Sequence, residues 1–468
     1  MRILFITNDL IAGSVAHELV KEGHEVKLYI KEKARRGNLD NLVQKTGEWK
    51  NELSWVGKDG LIVFDDVGFG RTQDKLRKQG YIVFGGSELG DKLELDREYG
   101  QKIFADYGMK TVELKDFENM DDAVMYVKDH PRAWVIKQNG HAPKTLNYIG
   151  HFDDGRDAIS VLKNYFQNRT VNKERITLHE KIVGVEIGVG RYFNGKDWVG
   201  PIEYNLEHKK FFPGDIGPTT SEMGTLAWYD DDESNRLYME TVARFKPYLQ
   251  EINYRGDFEI NCVVNESGVY PLEATTRMGS PIVHLQTEIH ESHWGEFLFA
   301  IAKGESYDLK WNQGYGLVVV MAVPPFPYSK KMKDNLFYGM TIFFDDVSEK
   351  EFEHIHFEEV SVRSNYLENP EKGRYYISDS RGYVLYATGM GKTVEEAQKK
   401  VYDLAKKIII PKVIYRNDIG NRFIFESNAL LKKWGYNFRK TESNFLNFGK
   451  IFGIEFRRAV KVDEEKQG

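Results

Sequence analysis

The stretch DFEINCVVNESGVYPLEATTRMGSP, residues 257–281, carries the most structural information in this chain. It predicts a β-hairpin: one strand over 257–264, a turn at 265–268, and a return strand over 269–276. Glu259 and Glu273 lie fourteen residues apart, and their midpoint, residue 266, falls in the turn. In a symmetric antiparallel hairpin they become cross-strand neighbours on one face. Two adjacent carboxylates repel, which costs stability unless a cation lies between them, and hard oxygen ligands suit Mg²⁺ beside phosphates. A pair of exposed acids on a solvated face remains open from the pattern alone. Cys262, in the apolar strand, reads as a small core residue.

Upstream of the hairpin, short apolar runs at 3–7, 25–30, 61–64 and 81–84 alternate with helical patterns. This predicts a parallel α/β domain over about the first hundred residues. Ligands of such sheets bind at the carboxyl ends of the strands, which marks Thr7, Asn8, Asp9, Asp65, Asp66, Gly85 and Gly86, although each also reads as an ordinary turn residue. From about residue 112 strands joined by tight turns take over. A further hairpin is expected over 185–204, turning at Asn194-Gly195, a pair that favours a type I′ turn. After Trp311 a continuous apolar run, 317–323, opens a third region of alternating strands and helices to about Phe423.

Two weaker signals precede the hairpin. Trp134-Val135-Ile136-Lys137 brings a lysine out of an apolar strand into Gln138-Asn139-Gly140, where it can reach phosphate oxygens as a point charge. The segment 179–186 places Glu180 and Glu186 at the ends of a strand–turn unit whose backbone can read an adenine edge and whose carboxylate can accept from ribose hydroxyls.

In this order the pieces resemble the ATP-grasp superfamily, and more closely its phosphoribosylamine–glycine ligase family, over residues 1 to about 423. Asp215-Ile216-Gly217-Pro218-Thr219-Thr220 with Met223-Gly224 is similar to that family's DTGPNTGGMG loop, and His208-Lys209-Lys210 to the DHKR before it. Glu273 and Arg277 match EFNCRFGDP. GKTVEEAQ, residues 391–398, resembles GHTVAEAQ, and Arg416, Asp418, Ile419 and Gly420 resemble RKDIG.

The resemblance implies an α/β and α+β chain. Residues 1–96 would form an amino-terminal parallel α/β (pre-ATP-grasp) domain, 97–310 the ATP-grasp core, 311–423 a small carboxyl-terminal mixed α/β domain, and 424–468 an added tail. It implies an ATP-dependent carboxylate–amine ligase that forms an amide through an acyl phosphate, with ATP and Mg²⁺ (or Mn²⁺) as cofactors. Lys137 would hold phosphate oxygens, helped by Arg97 and Lys144. Glu180, Ile182 and Glu186 would hold adenine and ribose, and Glu259, Glu273 and Thr275 the metal. Arg277 would clamp the transferred phosphate or the carboxylate. Asp215 and His208 would act with it, while Lys209, Gly217, Pro218 and Thr219 would face the substrates. The expected partners are small molecules, an amino acid carboxylate and an amine, for a monomer or dimer in the cytoplasm.

The sequence also departs from this family. Its glycine-rich GNGGREH turn is Thr7-Asn8-Asp9-Leu10-Ile11-Ala12-Gly13-Ser14 here, and its GPE is replaced by Phe64-Asp65-Asp66. Losing backbone-exposing glycines and gaining acids suits a sugar phosphate poorly. The loop after Lys137 reads His141-Ala142-Pro143-Lys144-Thr145 without GKG, Arg97 stands for a lysine, and Thr275 for an asparagine. These changes leave open a ligase with other substrates, or a nucleotide-binding descendant without catalysis.

Three other features bear on function. Gly389-Met390-Gly391-Lys392-Thr393 looks like half a phosphate loop, but Tyr386 stands where the first glycine is required. Thr393 and Glu396 are instead spaced as a capping box for a helix over 394–408. The tail interleaves Lys432, Lys433, Trp434, Tyr436, Phe438, Arg439 and Lys440, then Phe452, Phe456, Arg457 and Arg458. Aromatics packed on the body with snorkelling lysines explain this better than a nucleic-acid surface. The net charge of −6 supports that reading, and neither nucleic acid nor membrane is expected as a partner. One cysteine in 468 residues excludes an internal disulfide, and no apolar run suggests a membrane span.

Overall fold

The computed structural model describes residues 1–138, 147–167, 176–328, 336–364 and 374–438. Lys144, the rest of its loop, and the tail beyond Phe438 lie outside the described residues.

The first five strands, β1 (Arg2–Thr7), β2 (Glu25–Ile30), β3 (Gln44–Lys45), β4 (Leu61–Phe64) and β5 (Ile82–Phe84), form a parallel sheet in the order β3-β2-β1-β4-β5. Ile3, Leu4, Phe5 and Ile6 are all fully buried, because helices cover both faces of the sheet. That is why these strands read as unbroken apolar runs rather than alternating ones. β3, two residues long, offers no apolar run to read.

The next sheet is antiparallel and contains β6 (Leu114–Phe117), β7 (Trp134–Gln138), β8 (Tyr148–Ile149) and β9 (Ile176–Glu180) in the order β6-β9-β7-β8. The helices Met120–Asp129 and Arg156–Gln167 build its separate small core with Trp134, Ile136 and Leu178.

The chain then supplies β10 (Val185–Asn194), β11 (Trp198–Glu207), the short pair β12 (Lys210–Phe212) and β13 (Ile216–Thr219), β14 (Gly224–Asp230), β15 (Arg255–Asn265), β16 (Gly268–Thr275) and β17 (Tyr315–Ala322). Beyond these lie β18 (Thr341–Phe344), β19 (Ile355–Phe357), β20 (Val360–Val362), β21 (Tyr375–Ile377), β22 (Tyr383–Gly391) and β23 (Ile408–Ile409). Eight of them form one antiparallel sheet, β16-β15-β10-β11-β14-β17-β22-β19, which runs across the border expected at residues 310–311. A smaller sheet, β20-β21-β18-β23, sits beside it.

Both expected hairpins are present, with different turns. Between β10 and β11 the loop is Gly195-Lys196-Asp197. Asn194 Oδ1 accepts from the amides of Lys196 (3.0 Å) and Asp197 (2.9 Å), and only Gly195 has positive φ (88°). An asparagine that captures the amides after it favours this longer loop over a two-residue type I′ turn. Between β15 and β16, Asn265 pairs with Gly268, and a bulge lies between Asn261 and Cys262. Glu259 therefore stands opposite Thr275, and Asn261 opposite Glu273. The two glutamates are diagonal neighbours on the same face rather than a direct pair, because the turn centres between residues 266 and 267 and the bulge adds one further residue to β16, two shifts that the symmetric count omits.

The helix Val394–Lys407 is capped by Thr393, whose side chain accepts from the Glu396 amide at 3.2 Å, while Glu396 takes the Lys392 amide at 2.9 Å. A Cβ on Gly391 would lie 2.5 Å from the Ala397 nitrogen. That glycine serves close helix packing against the sheet and not a phosphate loop. In the tail, Tyr436 is 1% exposed and its hydroxyl donates to Glu240 at 2.9 Å. Phe438 packs edge-on against Tyr204 and Trp228, with ring centroids 4.8 and 5.0 Å apart. Cys262 is fully buried, its thiol facing the Ile187 carbonyl at 3.2 Å.

Candidate active site

The large sheet turns one face toward β7 and β9. On that face Lys209, immediately after β11, joins three carboxylates: Glu186 at 2.6 Å, Glu207 at 2.7 Å and Glu273 at 4.0 Å. Arg97, at the start of the helix Arg97–Asp106, approaches Glu273 at 3.7 Å. Lys137, half-buried on β7, faces the same group. Burial, together with the charges of Arg97 and Lys209, lowers its ammonium to about 8, against the pull of Glu273 and Glu186. Burial would raise the Glu186 carboxyl, but Lys209 holds it below its ordinary range. Lys209 in turn is held well above its ordinary value by Glu186, Glu207 and Glu273 despite burial. Lys137, Arg97, Glu186 and Glu273 thus lie together, and Lys209, expected to face the substrates, joins them.

The adenine-side residues are arranged more loosely. Glu180 ends β9, and its carboxylate meets Arg132 at 3.3 Å. Ile182 is half-buried in the linker to β10, and its neighbour Val183 is 75% exposed, an apolar surface open on that linker. His179 on β9 is buried, and burial with the charges of Lys137 and Arg97 keeps it neutral at physiological pH.

Glu259 is 8% exposed and accepts from Asn205 Nδ2 at 2.7 Å. Burial beside Glu207 and Glu203 pushes its carboxyl well above the ordinary range. Among the described residues no three His, Cys, Asp or Glu side chains close on a common point. Glu259, Thr275 and Glu273 form an oxygen-lined stripe instead. Arg277 donates from Nε to Glu94 at 3.1 Å and from NH1 to the Met278 carbonyl at 3.0 Å. Burial would lower it, but Glu94, Asp66 and Glu259 hold it fully charged. Glu94 lies on the helix Glu88–Leu95 of the first unit and also accepts from the Thr276 amide at 2.7 Å.

The Gly-Pro loop is placed differently. β12 and β13 form a small hairpin that exposes Gly217 and leaves Pro218 and Thr219 half-buried. Asp215, in its turn, pairs with Arg416 at 2.8 Å and Arg422 at 3.4 Å, not with the lysine–carboxylate group. His208 is 2% exposed, and its Nε2 accepts from the Gly420 amide at 3.4 Å. Burial beside Arg422 and Arg416 lowers it to about 3, so it is neutral at physiological pH. Both residues are held by the carboxyl-terminal segment, Asp215 through Arg416 and Arg422 and His208 through the Gly420 amide.

At the carboxyl ends of the parallel strands the expected residues mostly make turn contacts. Thr7 Oγ1 accepts from the Leu10 amide at 2.7 Å, and Asp65 from Ala12 at 2.8 Å. Asp9 pairs with Arg381 at 2.7 Å. Burial, with Asp66 alongside, pushes Asp65 up to about 8.

Glu203, Asn205 and Glu207 belong to the site face but escaped the sequence reading. Their period-two spacing on β11 was the available signal, hidden inside a mostly apolar strand.

The residues fit an ATP–metal group. Burial, with Arg97 and Lys209 alongside, holds the Lys137 ammonium below its ordinary pKa, which a bound anion would offset, and the buried Glu259 carboxyl on the same face suits a cation.

The family described as "Phosphoribosylglycinamide synthetase, ATP-grasp (A) domain" matches residues 95–281. The phosphoribosylamine–glycine ligase of Clostridium acetobutylicum is 26% identical over 394 residues, covering 81% of this chain and 87% of that protein. The ligase of the same name from Halalkalibacterium halodurans is 24% identical, covering 83% and 86%. In fold, the chain is similar to the crystal structure of phosphoribosylamine–glycine ligase from Thermotoga maritima, with TM-score 0.67, 21% identity, and 90% of this chain and 100% of that one covered. It is also similar to the biotin carboxylase domain of Hydrogenobacter thermophilus 2-oxoglutarate carboxylase in complex with MgADP, ADP and bicarbonate, with TM-score 0.62, 13% identity, and 94% and 99% covered. No described helix is long and apolar enough to cross a membrane. Residues 95–281 are thus similar to the ATP-grasp domain of the phosphoribosylglycinamide synthetase family.

Proposed function

We propose that this protein is an ATP-dependent carboxylate–amine ligase of the phosphoribosylamine–glycine ligase kind, forming an amide through an acyl phosphate. The observation that carries the reading is the meeting of Lys137, Arg97 and Lys209 with Glu186 and Glu273 on one sheet face, which Glu259 shares. Lys137 and Arg97 would hold phosphate oxygens of ATP, Glu186 the ribose, and Glu259, Glu273 and Thr275 Mg²⁺. When bound, Mg²⁺ neutralises the charge that develops on the transferred phosphoryl group. Lys209 orients Glu186 and Glu273 through its ion pairs. Arg277, fixed by Glu94, presents a charged guanidinium to the carboxylate or acyl phosphate. Catalysis then consists of positioning and charge neutralisation, with little covalent work for the protein. Asp215 and His208 would shape the Gly-Pro hairpin rather than exchange protons.

A second reading changes only the acceptor. Asp9, Asp65 and Asp66 stand at strand ends where the resembling family has glycine turns, and acids there disfavour a sugar phosphate. Incubation with ATP, Mg²⁺, glycine and phosphoribosylamine separates the two. ADP and glycinamide ribonucleotide support the first reading, whereas glycine-dependent ADP release that starts only with another amine supports the second. Undiminished ATP turnover by Lys137→Ala would refute both.

A further inference from the structure

The carboxyl end of the parallel sheet has the backbone of an anion site, and this chain's own acids occupy it. Between β4 and the helix Gly70–Lys78 the chain turns through Asp65-Asp66-Val67-Gly68-Phe69-Gly70. Gly68 has a φ of 90°, and the Gly68 and Gly70 amides converge on a single oxygen, a nest that suits phosphate. That oxygen is Oδ2 of Asp91, on the helix Glu88–Leu95, 3.0 Å from the Gly68 amide and 2.7 Å from that of Gly70. Burial raises Asp91 to about 6, so it remains an anion at neutral pH.

The neighbouring donors are taken in the same way. Asp66 Oδ1 accepts from the Val67 amide at 2.8 Å, and the Asp65 carboxyl takes the Ala12 amide ahead of the helix Gly13–Lys21. Arg381 pairs with Asp9 at 2.7 Å. The buried Arg35 meets Glu358 at 2.7 Å, Asp379 at 3.4 Å, and Glu359 and Asp9 at 3.5 Å. Lys31 is exposed, with its ammonium over the Phe69 ring at 5.1 Å. Four carboxyls thus face two guanidiniums, and a phosphate monoester would add a charge of about −2.

This end of the sheet adjoins Arg277, the arginine assigned to the carboxylate or acyl phosphate. Glu94, three residues after Asp91 on the same helix, holds Arg277 at 3.1 Å. Ligands of such sheets sit at the carboxyl ends of the strands, which places the acceptor beside these acids. We infer that the acceptor amine carries no phosphoryl group, with Asp91 and Asp9 setting that choice by occupying the donors a phosphate needs. The inference rests on the ligase reading above and narrows its acceptor to a neutral or cationic amine.

Ribose with ammonia and ribose 5-phosphate with ammonia supply the matched acceptors ribosylamine and phosphoribosylamine. With the full chain, ATP, Mg²⁺ and glycine, ribosylamine is expected to show the higher kcat/KM, by about tenfold or more. Asp91→Ala frees both amides and should shift that ratio toward phosphoribosylamine by about tenfold, the effect of one hydrogen bond to a charged group. Phosphoribosylamine used as well as ribosylamine by the wild-type protein, or a ratio unmoved by Asp91→Ala, overturns the proposal and leaves the ligase reading standing. If neither amine starts ADP release, thermal shift decides independently. Potassium phosphate should raise Tm, relative to potassium chloride at equal ionic strength, more in Asp91→Ala and Asp9→Ala than in the wild-type protein. The nucleotide site is common to all three proteins, so only the strand-end donors enter the comparison. Asp9 has a side chain 40% exposed, and its replacement keeps the test available if Asp91→Ala does not fold. Equal phosphate shifts in the wild-type protein and the variants overturn the proposal.

Discussion

Removing the Arg416 guanidinium should loosen the β12–β13 hairpin without unfolding the sheet beneath it. Arg416 is 1% exposed and binds Asp418 with two nitrogens, at 2.7 Å each. It also donates to the Lys210 carbonyl at 2.9 Å and to Asp215 at 2.8 Å. The Arg416–Asp418 pair lies within the carboxyl-terminal segment and survives opening of the hairpin, so only the other two bonds count. The Lys210 carbonyl contributes about 1 kcal/mol. Asp215, with its side chain 38% exposed, adds under about 1 kcal/mol after solvent screening. The total, about 1–2 kcal/mol, corresponds to about a tenfold rise in the open population of the hairpin, at about 1.4 kcal/mol per factor of ten. Limited trypsin digestion reads this directly, because cleavage after Lys210 tracks the open population when opening is fast. Arg416→Ala should be cut there about tenfold faster, and Arg416→Lys less so, since an ammonium keeps the charge but cannot hold both acceptors in the guanidinium's geometry. Burial would raise Asp418, yet Arg416 and the Gly214 amide hold its carboxyl below the ordinary range. Its contribution is therefore present at neutral pH and lost only as pH falls through that lowered value, below the ordinary aspartate range. Cleavage of Arg416→Ala within twofold of the wild-type rate would refute this account.

Lys137, brought down to about 8, is charged below that pH and neutral above it. kcat/KM for ATP should therefore fall about tenfold per unit above pH 8, and a profile flat to pH 9.5 would contradict its phosphate role. Gly391→Ala drives a methyl group to 2.5 Å from the Ala397 nitrogen, so it should cost about 1–3 kcal/mol in denaturant unfolding while KM for ATP is unchanged. A loss of ATP binding at unaltered stability would revive the phosphate-loop reading. Tyr436→Ala removes a buried ring and its bond to Glu240, at a cost of about 3–5 kcal/mol. A melting temperature equal to wild type would mean that the tail's aromatics do not hold the body.

Continuous apolar runs and the Asn265–Gly268 turn made the parallel sheet and the acidic hairpin legible from the sequence. Local patterning reports burial and turn chemistry, which are properties of neighbours along the chain. It does not report a bulge or the exact centre of a turn, and together these moved Glu273 from Glu259 to Asn261. Nor does it reveal that β17 and β22, far along the chain, complete the sheet begun by β10, because sheet membership depends on long-range pairing. Lys137, Glu186 and Glu273 were recognisable as an ordered series of motifs. Asp215 and His208 were recognisable too, but their partners, Arg416 and the Gly420 amide, lie some two hundred residues away. Glu203 and Asn205 went unnoticed because two polar residues in a strand look incidental until Asn205 is seen to hold Glu259.

Glu94 has an implication for how such chains can be recombined. Its carboxylate takes both the Thr276 amide and the Arg277 guanidinium, so the amino-terminal unit supplies the brace for the arginine of the acidic hairpin. A shuffled gene that joined a foreign amino-terminal unit at residue 87 would keep the brace, because Glu94 lies beyond the join, whereas a join after Leu95 that imported a helix without the glutamate would leave Arg277 unmoored. Exchange of a first unit that includes this helix is thus tolerable only when the incoming piece carries its own acid at that helical position.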